Sequence, residues 1–278
     1  MSCVLPKPSL DARPLGAHRL CVLTDDALYA ACGVRIGFTA RDGGVSEGAY
    51  ASLNLGLHVE DDAACVLENR ARLLEALGAP DAQLVVPNQV HGTNVVTIDS
   101  ADPAKVDACA RTADEGADAL VVGVSGVAAL LNFADCTPVV VVSPSGRFAV
   151  AHAGWRGAVG GVAGNAVRAL CACDKEHGAA GDPASFNAYI GPHIRVECFE
   201  TGADVASKFA AKYGAGVLGD AEHVNLAHAV SIDLVCAGIE PERIADARIC
   251  TKCNSERYFS YRASQGVCGR HGAIALKR

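Results

Sequence analysis

Apolar residues between 84 and 152 fall into short runs, among them LVVP, NVVTI, ADALVV, GVAALLNF, PVVVVS and RFAVAH. Several of these runs are continuously apolar rather than alternating, so they predict strands that are covered on both faces. Further strands are predicted at 33–39, 187–191, 245–250, 257–261 and 272–276.

Helical patterns flank this strand-rich part. Acidic residues at 61 and 62, apolar residues three or four apart and a terminal glycine predict a helix over 61–78. A small-residue helix is predicted at 157–174, and capping residues predict two more helices at 201–213 and 225–238. Because predicted helices do not alternate with the strands of 84–152, we expect an α+β fold, with mixed β-sheets packed together and covered by helices.

The domain organisation is expected to be simple. Residues 1–20 contain several prolines and predict a flexible N-terminal arm, and residues 21–278 predict a single catalytic domain. Neither a signal-peptide pattern nor an apolar run of about 18 residues is present, so we expect a cytoplasmic protein without a membrane partner.

Charge and cysteine content narrow the classes of function. The 278-residue chain has a net charge of −7, which argues against nucleic acid as a partner. Its 13 cysteines are irregularly spaced, which is typical of reduced thiols in the cytoplasm. Cys171 and Cys173 lie two apart in a predicted helix and point in different directions, while Cys250 and Cys253 lack a second pair at zinc-ribbon spacing. Neither pair is therefore predicted to bind a metal.

Three reactive side chains stand near predicted strand ends: His91 in NQVHG, Cys136 in ADCTP and His152 in AVAHAGWRG. Each alone is compatible with a structural role. Together, two imidazoles and one thiolate form the three-ligand set of a catalytic zinc site with one open position. The spacing along the chain does not establish that the three meet.

The same residues allow other chemistries. Cys136 and His152 could form the nucleophile–base pair of a metal-free hydrolase or deamidase. Two histidines and one cysteine could also bind copper in a phenol oxidase, but the chain has only one methionine, Met1, and no His-x-His pair, so copper is less favoured. A non-catalytic binding protein is the fourth hypothesis.

Taken in order, the segments NQVHG, ADALVV, FADCTPVVVVSP, AVAHAGWRG, YIGPHI and RYFSYR resemble the laccase-domain (YfiH-like) family, whose members are named polyphenol oxidases. The resemblance spans residues 34–276. It implies zinc held by His91, Cys136 and His152, and a two-sheet fold shared with toxin deamidases. It also implies phosphorolysis of adenosine, inosine, guanosine and methylthioadenosine together with deamination of adenosine. Purine nucleosides and phosphate are the expected partners, and a monomer or small homo-oligomer the expected assembly.

Further roles are hypotheses within this scheme. Asp135 is a candidate proton shuttle or ligand-supporting residue. Arg41 and Arg156 are candidates for binding phosphate, and Asn54 for binding the ribose or base. His193 is a candidate pocket residue, whereas no role is predicted for His58, His177, His223, His228 and His271. Cys250 matches the family's Cys-Thr pair, but Cys253 is an addition in this chain.

Overall fold

The computed structural model describes residues 3–277. Their strands are β1 (Asp11–Leu15), β2 (Leu20–Thr24), β3 (Val34–Thr39), β4 (Gln83–Val85), β5 (Val95–Ile98), β6 (Ala119–Val122), β7 (Val127–Phe133), β8 (Thr137–Val142), β9 (Phe148–Ala153), β10 (Asn187–Ile190), β11 (Ile244–Asp246) and β12 (His271–Lys277). Their α-helices are α1 (Asp26–Cys32), α2 (Ala63–Ala76), α3 (Pro103–Asp114), α4 (Trp155–Gly160), α5 (Val162–Glu176), α6 (Ala203–Tyr213) and α7 (Leu226–Cys236).

The strands form two six-stranded mixed sheets. The first has the order β1-β2-β3-β12-β7-β4 and the second β11-β10-β8-β9-β6-β5. Most neighbours are antiparallel, but β4 pairs with β7, β5 with β6 and β10 with β11 in parallel. The sheet architecture thus confirms the predicted α+β fold with mixed sheets.

The two sheets pack face to face and helices cover both outer faces. Alternate residues of β8 and β9, such as Val140 and Val150, join Phe38 and Leu131 of the first sheet in one core. The intervening residues of β8 and β9 face the opposite way and pack against α4–α7, while α2 covers the first sheet. Strands buried on both faces need no polar alternation, which explains the continuous apolar runs.

Several local predictions were wrong. Residues 11–15 of the predicted arm form β1, which pairs with β2; residues 1, 2 and 278 lie outside the described part of the chain. Helices α1 and α3 were not predicted, and the predicted 157–174 helix is two helices separated at Gly161. Residues 257–261 form turns and irregular backbone rather than a strand, and Tyr258 and Phe259 are buried there.

Three connections pass from one sheet to the other at the same end of the molecule. They are 86–94 between β4 and β5, 134–136 between β7 and β8, and 247–270 between β11 and β12. These connections carry nearly all of the chemistry described below. No α-helix of residues 3–277 combines the length and apolar character needed to cross a membrane.

Candidate metal centre and its cavity

His91, Cys136 and His152 converge at this end of the two sheets. One potential donor atom from each residue lies within 4.8 Å of those of the other two. The rings of His91 and His152 meet edge to face with centroids 4.8 Å apart. Two of the sheet-to-sheet connections supply His91 and Cys136, and β9 supplies His152, so the three predicted ligands are brought together.

The orientation of His152 is fixed by Asp118, which the sequence analysis did not identify. Asp118 directly precedes β6, the antiparallel neighbour of β9. Nδ1 of His152 donates to the Asp118 carboxylate over 2.7 Å, and the His152 amide donates to the Asp118 carbonyl, also over 2.7 Å. The other ring nitrogen is thereby left for Cys136, as in the carboxylate–histidine arrangement common at metal sites.

The same carboxylate shapes the loop that carries His91. It accepts hydrogen bonds from the amides of Val90, His91 and Gly92 at 3.2, 3.0 and 2.6 Å. Burial raises the pKa of Asp118, but the contacts with His152 and these amides outweigh burial and lower it. His91 itself has a φ of 60°. This left-handed conformation is uncommon for a side-chain-bearing residue and directs His91 toward the other ligands.

The turn at Asp135 and Cys136 is held by the third sheet-to-sheet connection. Asp135 has a φ of 90°, a conformation that costs on the order of 1–3 kcal/mol and must be maintained by its surroundings. Its carboxylate accepts hydrogen bonds from Oγ1 of Thr251 at 2.6 Å and from the amide of Arg262 at 2.7 Å. Both carboxylate oxygens therefore tie the turn to the segment 247–270.

Gly154 leaves the space that the three ligands need. A Cβ atom at this position would lie 2.6 Å from Cδ2 of His91 and 3.1 Å from Sγ of Cys136. Gly154 lies between β9 and α4, and only a hydrogen atom fits there in place of a side chain. This explains the glycine after His-Ala in the sequence motif.

The electrostatics favour an ionised cysteine. Burial opposes ionisation of Cys136, but the charge of His152 and hydrogen bonds from both histidines lower its pKa to about 6. Burial likewise opposes protonation of His152, but the Cys136 thiolate and Asp118 raise its pKa to about 9. A thiolate and two imidazoles are suitable ligands for zinc, and a thiolate beside an imidazolium is also a reactive pair.

The three residues form one wall of a cavity of about 500 Å³. The other walls come from polar and apolar residues of several loops: Gly56, His58, Val59, Asn88, Gln89, Asn132, Ala134, Asp135, Ile194, Phe199, Tyr261, Arg262 and Arg270. This volume is typical of small-molecule binding sites. His58, Arg262 and Arg270 received no role in the sequence analysis.

The predicted phosphate and ribose residues do not line the cavity. Arg41 donates to the carbonyls of Ala51 and Ser255, and its guanidinium stacks on Phe259. Asn54 is buried and binds Asp61 and backbone groups. Arg156 is exposed and stacks on Trp155.

His193 is also absent from the cavity walls. Its side chain is buried, and Nδ1 contacts the carbonyl of Gly191 at 2.8 Å. Burial lowers the pKa of His193 and so disfavours its charged form. The prediction that it lines the pocket therefore finds no support in the geometry.

Comparison with known proteins agrees with this architecture. The chain is 35% identical over 258 residues to the purine nucleoside phosphorylase YlmD of Geobacillus stearothermophilus, covering 88% of this chain and 91% of that protein. It is 36% identical over 240 residues to the adenosine deaminase RL5 of an unknown prokaryotic organism, covering 83% and 88%. The crystal structure of the hypothetical protein YfiH of Bacillus licheniformis superposes with a TM-score of 0.82 at 26% identity, covering 95% of this chain and 97% of that one.

Residues 35–277 match the model of the family described as multi-copper polyphenol oxidoreductase laccase. The match covers the two sheets from β3 onward and all three residues of the candidate metal centre. The chain therefore belongs to this laccase-like, YfiH-type family.

Proposed function

We propose that this protein is a zinc-dependent purine nucleoside phosphorylase that also deaminates adenosine. The observation that carries the proposal is the convergence of His91, Cys136 and His152 on one wall of a nucleoside-sized cavity. Relatives named for each of the two activities support it. The expected substrates are adenosine, inosine, guanosine and methylthioadenosine with phosphate.

The donor set fits zinc. It combines two imidazoles with a thiol whose pKa is lowered, and Asp118 orients His152 from behind. When bound, zinc would supply a Lewis acid that polarises substrate oxygens and lowers the pKa of water in the cavity. His91, Cys136 and His152 would hold the ion, and the open side would face the cavity.

The cavity walls suit a purine nucleoside. Phe199 and Tyr261 offer aromatic surface for stacking the base. The side-chain oxygen of Asn132 is buried without a hydrogen-bond partner within residues 3–277. Because a buried unpaired acceptor is costly, we propose that this oxygen accepts from the amino group of adenine or a ribose hydroxyl.

Arg262 and Arg270 are the proposed phosphate-binding residues. Both line the cavity, and their guanidinium groups donate to backbone carbonyls: Arg262 to Glu200, and Arg270 to Cys268 and Gly269. In the described part of the chain neither guanidinium forms a salt bridge, so no carboxylate neutralises its charge. Guanidinium groups bind phosphate through charge-assisted hydrogen bonds. They would bring the anion to the ribose C1′, where phosphate displaces the base.

Asp135 is proposed to position the site rather than to carry protons. Its two oxygens already accept hydrogen bonds from Thr251 and from the Arg262 amide. These two hydrogen bonds hold the turn at Cys136 and the segment that carries Arg262 in fixed positions relative to each other. Both of these parts of the cavity wall depend on the Asp135 carboxylate.

Metal analysis combined with product analysis tests the proposal. Adenosine with phosphate should yield inosine by deamination and adenine with ribose 1-phosphate by phosphorolysis. His91→Ala and Cys136→Ala should each lose zinc and both activities, whereas His228→Ala, on an exposed part of α7, should retain them. Full turnover by a metal-free preparation would reject the zinc proposal.

A metal-free cysteine hydrolase or deamidase is the second candidate. It is favoured by the lowered pKa of Cys136 and by its contact with His152. It predicts that alkylation of Cys136 abolishes activity while chelators leave it intact. Oxygen consumption with a phenol is measured on the same preparations, because a copper-dependent phenol oxidase would consume oxygen.

A further inference from the structure

A second group of metal-binding side chains lies outside the cavity. One potential donor atom from each of Cys198, Cys250 and Cys253 lies within 4.8 Å of the other two, and Sγ of Cys198 is 3.4 Å from Sγ of Cys253. Apart from the candidate metal centre, this thiol cluster is the one group of three such ligands found in residues 3–277. We propose that the thiol cluster binds a zinc ion of its own and that this ion supports the cavity wall.

The chemistry of the cluster favours a metal over a redox function. Burial and the neighbouring thiols raise the pKa of Cys198 to about 12, and the pKa of Cys253 is also raised. Reactive redox cysteines instead have lowered pKa values. Three thiols this close together are well suited to a soft ion, to which they bind as thiolates with release of their protons.

The exposure of the cluster gives an ion a path from solvent. Cys250 is buried, Cys198 is partly buried and Cys253 is exposed. Structural zinc usually has four ligands, so water would complete the site on the side of Cys253. The three cysteines are free thiols in the structure, and their sulfurs stand well beyond the roughly 2.05 Å of a disulfide bond.

The position of the cluster shows what the ion would stabilise. Cys250 and Cys253 lie in the segment 247–270, which contains neither helix nor strand yet supplies Arg262 and Arg270 to the cavity. Cys198 lies in a separate segment, next to the cavity residue Phe199. An ion held by all three cysteines would clamp these two parts of the wall together.

A short chain of contacts links the cluster to the candidate metal centre. Cys250 is followed by Thr251, whose Oγ1 donates to Asp135 over 2.6 Å, and Asp135 precedes Cys136. Fixing Cys250 therefore fixes the donor that holds the strained Asp135 turn. The proposed ion acts on the cavity through position alone and contacts neither substrate nor the reacting atoms.

Cys136→Ser isolates the thiol cluster for testing, because it removes the thiolate of the other centre. We expect this variant to retain one zinc ion per chain and to show thiolate-to-metal absorption when cobalt(II) replaces zinc. Adding Cys253→Ser should abolish both signals, whereas adding Cys236→Ser, an exposed cysteine of α7, should leave them unchanged. A folded Cys136→Ser variant that binds no thiolate-ligated metal would overturn the proposal. If Cys136→Ser loses metal only from the candidate metal centre and keeps it at the thiol cluster, the result concerns the proposed function alone.

Alkylation mapping of the unmodified chain gives a second test that needs no variant. At alkaline pH, where its thiolate forms, exposed Cys253 should be labelled after zinc is stripped and protected after zinc is restored, while Cys236 should be labelled in both states. Equal labelling of Cys253 with and without zinc would contradict the proposal. A Cys198–Cys253 disulfide found by mass spectrometry in zinc-loaded protein would do the same.

Discussion

Asp118 accepts a hydrogen bond from Nδ1 of His152 over 2.7 Å while also accepting three amide hydrogen bonds from residues 90–92. One buried carboxylate thus fixes the ring of one candidate ligand and the loop of another. These contacts join the two sides of the candidate metal centre, so an ion bound there would require little reorganisation of the site.

Replacing Asp118 with Asn should weaken zinc binding by about 10–100-fold, the usual effect of removing a carboxylate behind a metal-binding histidine. The neutral amide would bind the His152 N–H less strongly and would disturb the 90–92 amides. Competition with a chromogenic chelator measures the affinity. Asp174→Asn, at a partly buried ion pair with Arg147, is the matched control and should leave zinc affinity unchanged. An unaltered affinity in Asp118→Asn would show that the carboxylate does not support the metal.

The three residues of the candidate metal centre could be identified from sequence, whereas the residue that orients them could not. His91, Cys136 and His152 stand in short motifs near strand ends, and those motifs are local. Asp118 acts through a pairing with His152 across 34 residues, and no local pattern distinguishes it among the 31 acidic residues. The pairing of β6 with β9 must be known before a role can be assigned to Asp118.

In the fold, too, local patterns predict some elements, whereas others depend on contacts between distant parts of the chain. Runs buried on both faces predicted the central strands, but the strand predicted at 257–261 is absent. Tyr258 and Phe259 are instead buried as anchors of a turn-rich segment. The helix α3 does carry a local signal in the sequence, since Asp102 caps it and Pro103 begins it. No sequence motif points to Arg262 and Arg270 as cavity residues, because turns bring them to the cavity.

Gly154→Ala should abolish metal binding while leaving the fold largely intact. The added methyl group would lie 2.6 Å from the His91 ring, so a ligand must move away, at a cost of about 1–3 kcal/mol for overpacking. Zinc content and thermal unfolding are the measurements. Gly216→Ala, whose added Cβ would meet only one atom within 4 Å, at 3.9 Å, is the control. Normal zinc content in Gly154→Ala would mean that the ligands do not close around this space.

The alkylation of Cys136 in metal-free protein should depend on pH with a midpoint near 6. The thiolate is the reacting form, so the rate should be full above the lowered pKa of Cys136 and fall as the pH drops through about 6. Cys65 is the internal reference, because burial and nearby Asp62 raise its pKa and its reaction should require alkaline pH. Peptide-resolved labelling with iodoacetamide follows both sites.

Asp118→Asn should move this midpoint to higher pH. Without the carboxylate, His152 holds its proton less firmly, and the positive charge that stabilises the thiolate is lost more readily. A Cys136 midpoint near the ordinary thiol value in the unmodified protein would contradict the proposed thiolate–imidazolium pair.

The KM for phosphate in arginine variants distinguishes the cavity residues Arg262 and Arg270 from Arg156, the candidate suggested by the sequence. Arg262→Gln and Arg270→Gln should each raise the KM for phosphate, since a charge-assisted hydrogen bond contributes about 1.5–3 kcal/mol, or roughly 10–150-fold. Arg156→Gln should have no effect, because Arg156 is exposed and stacked on Trp155 outside the cavity. Deamination of adenosine does not use phosphate, so its rate in the same variants reports whether the cavity itself is intact. If Arg156→Gln raised the KM while Arg262→Gln and Arg270→Gln did not, the anion would have to bind at the start of α4, and the assignment of the cavity arginines would be wrong.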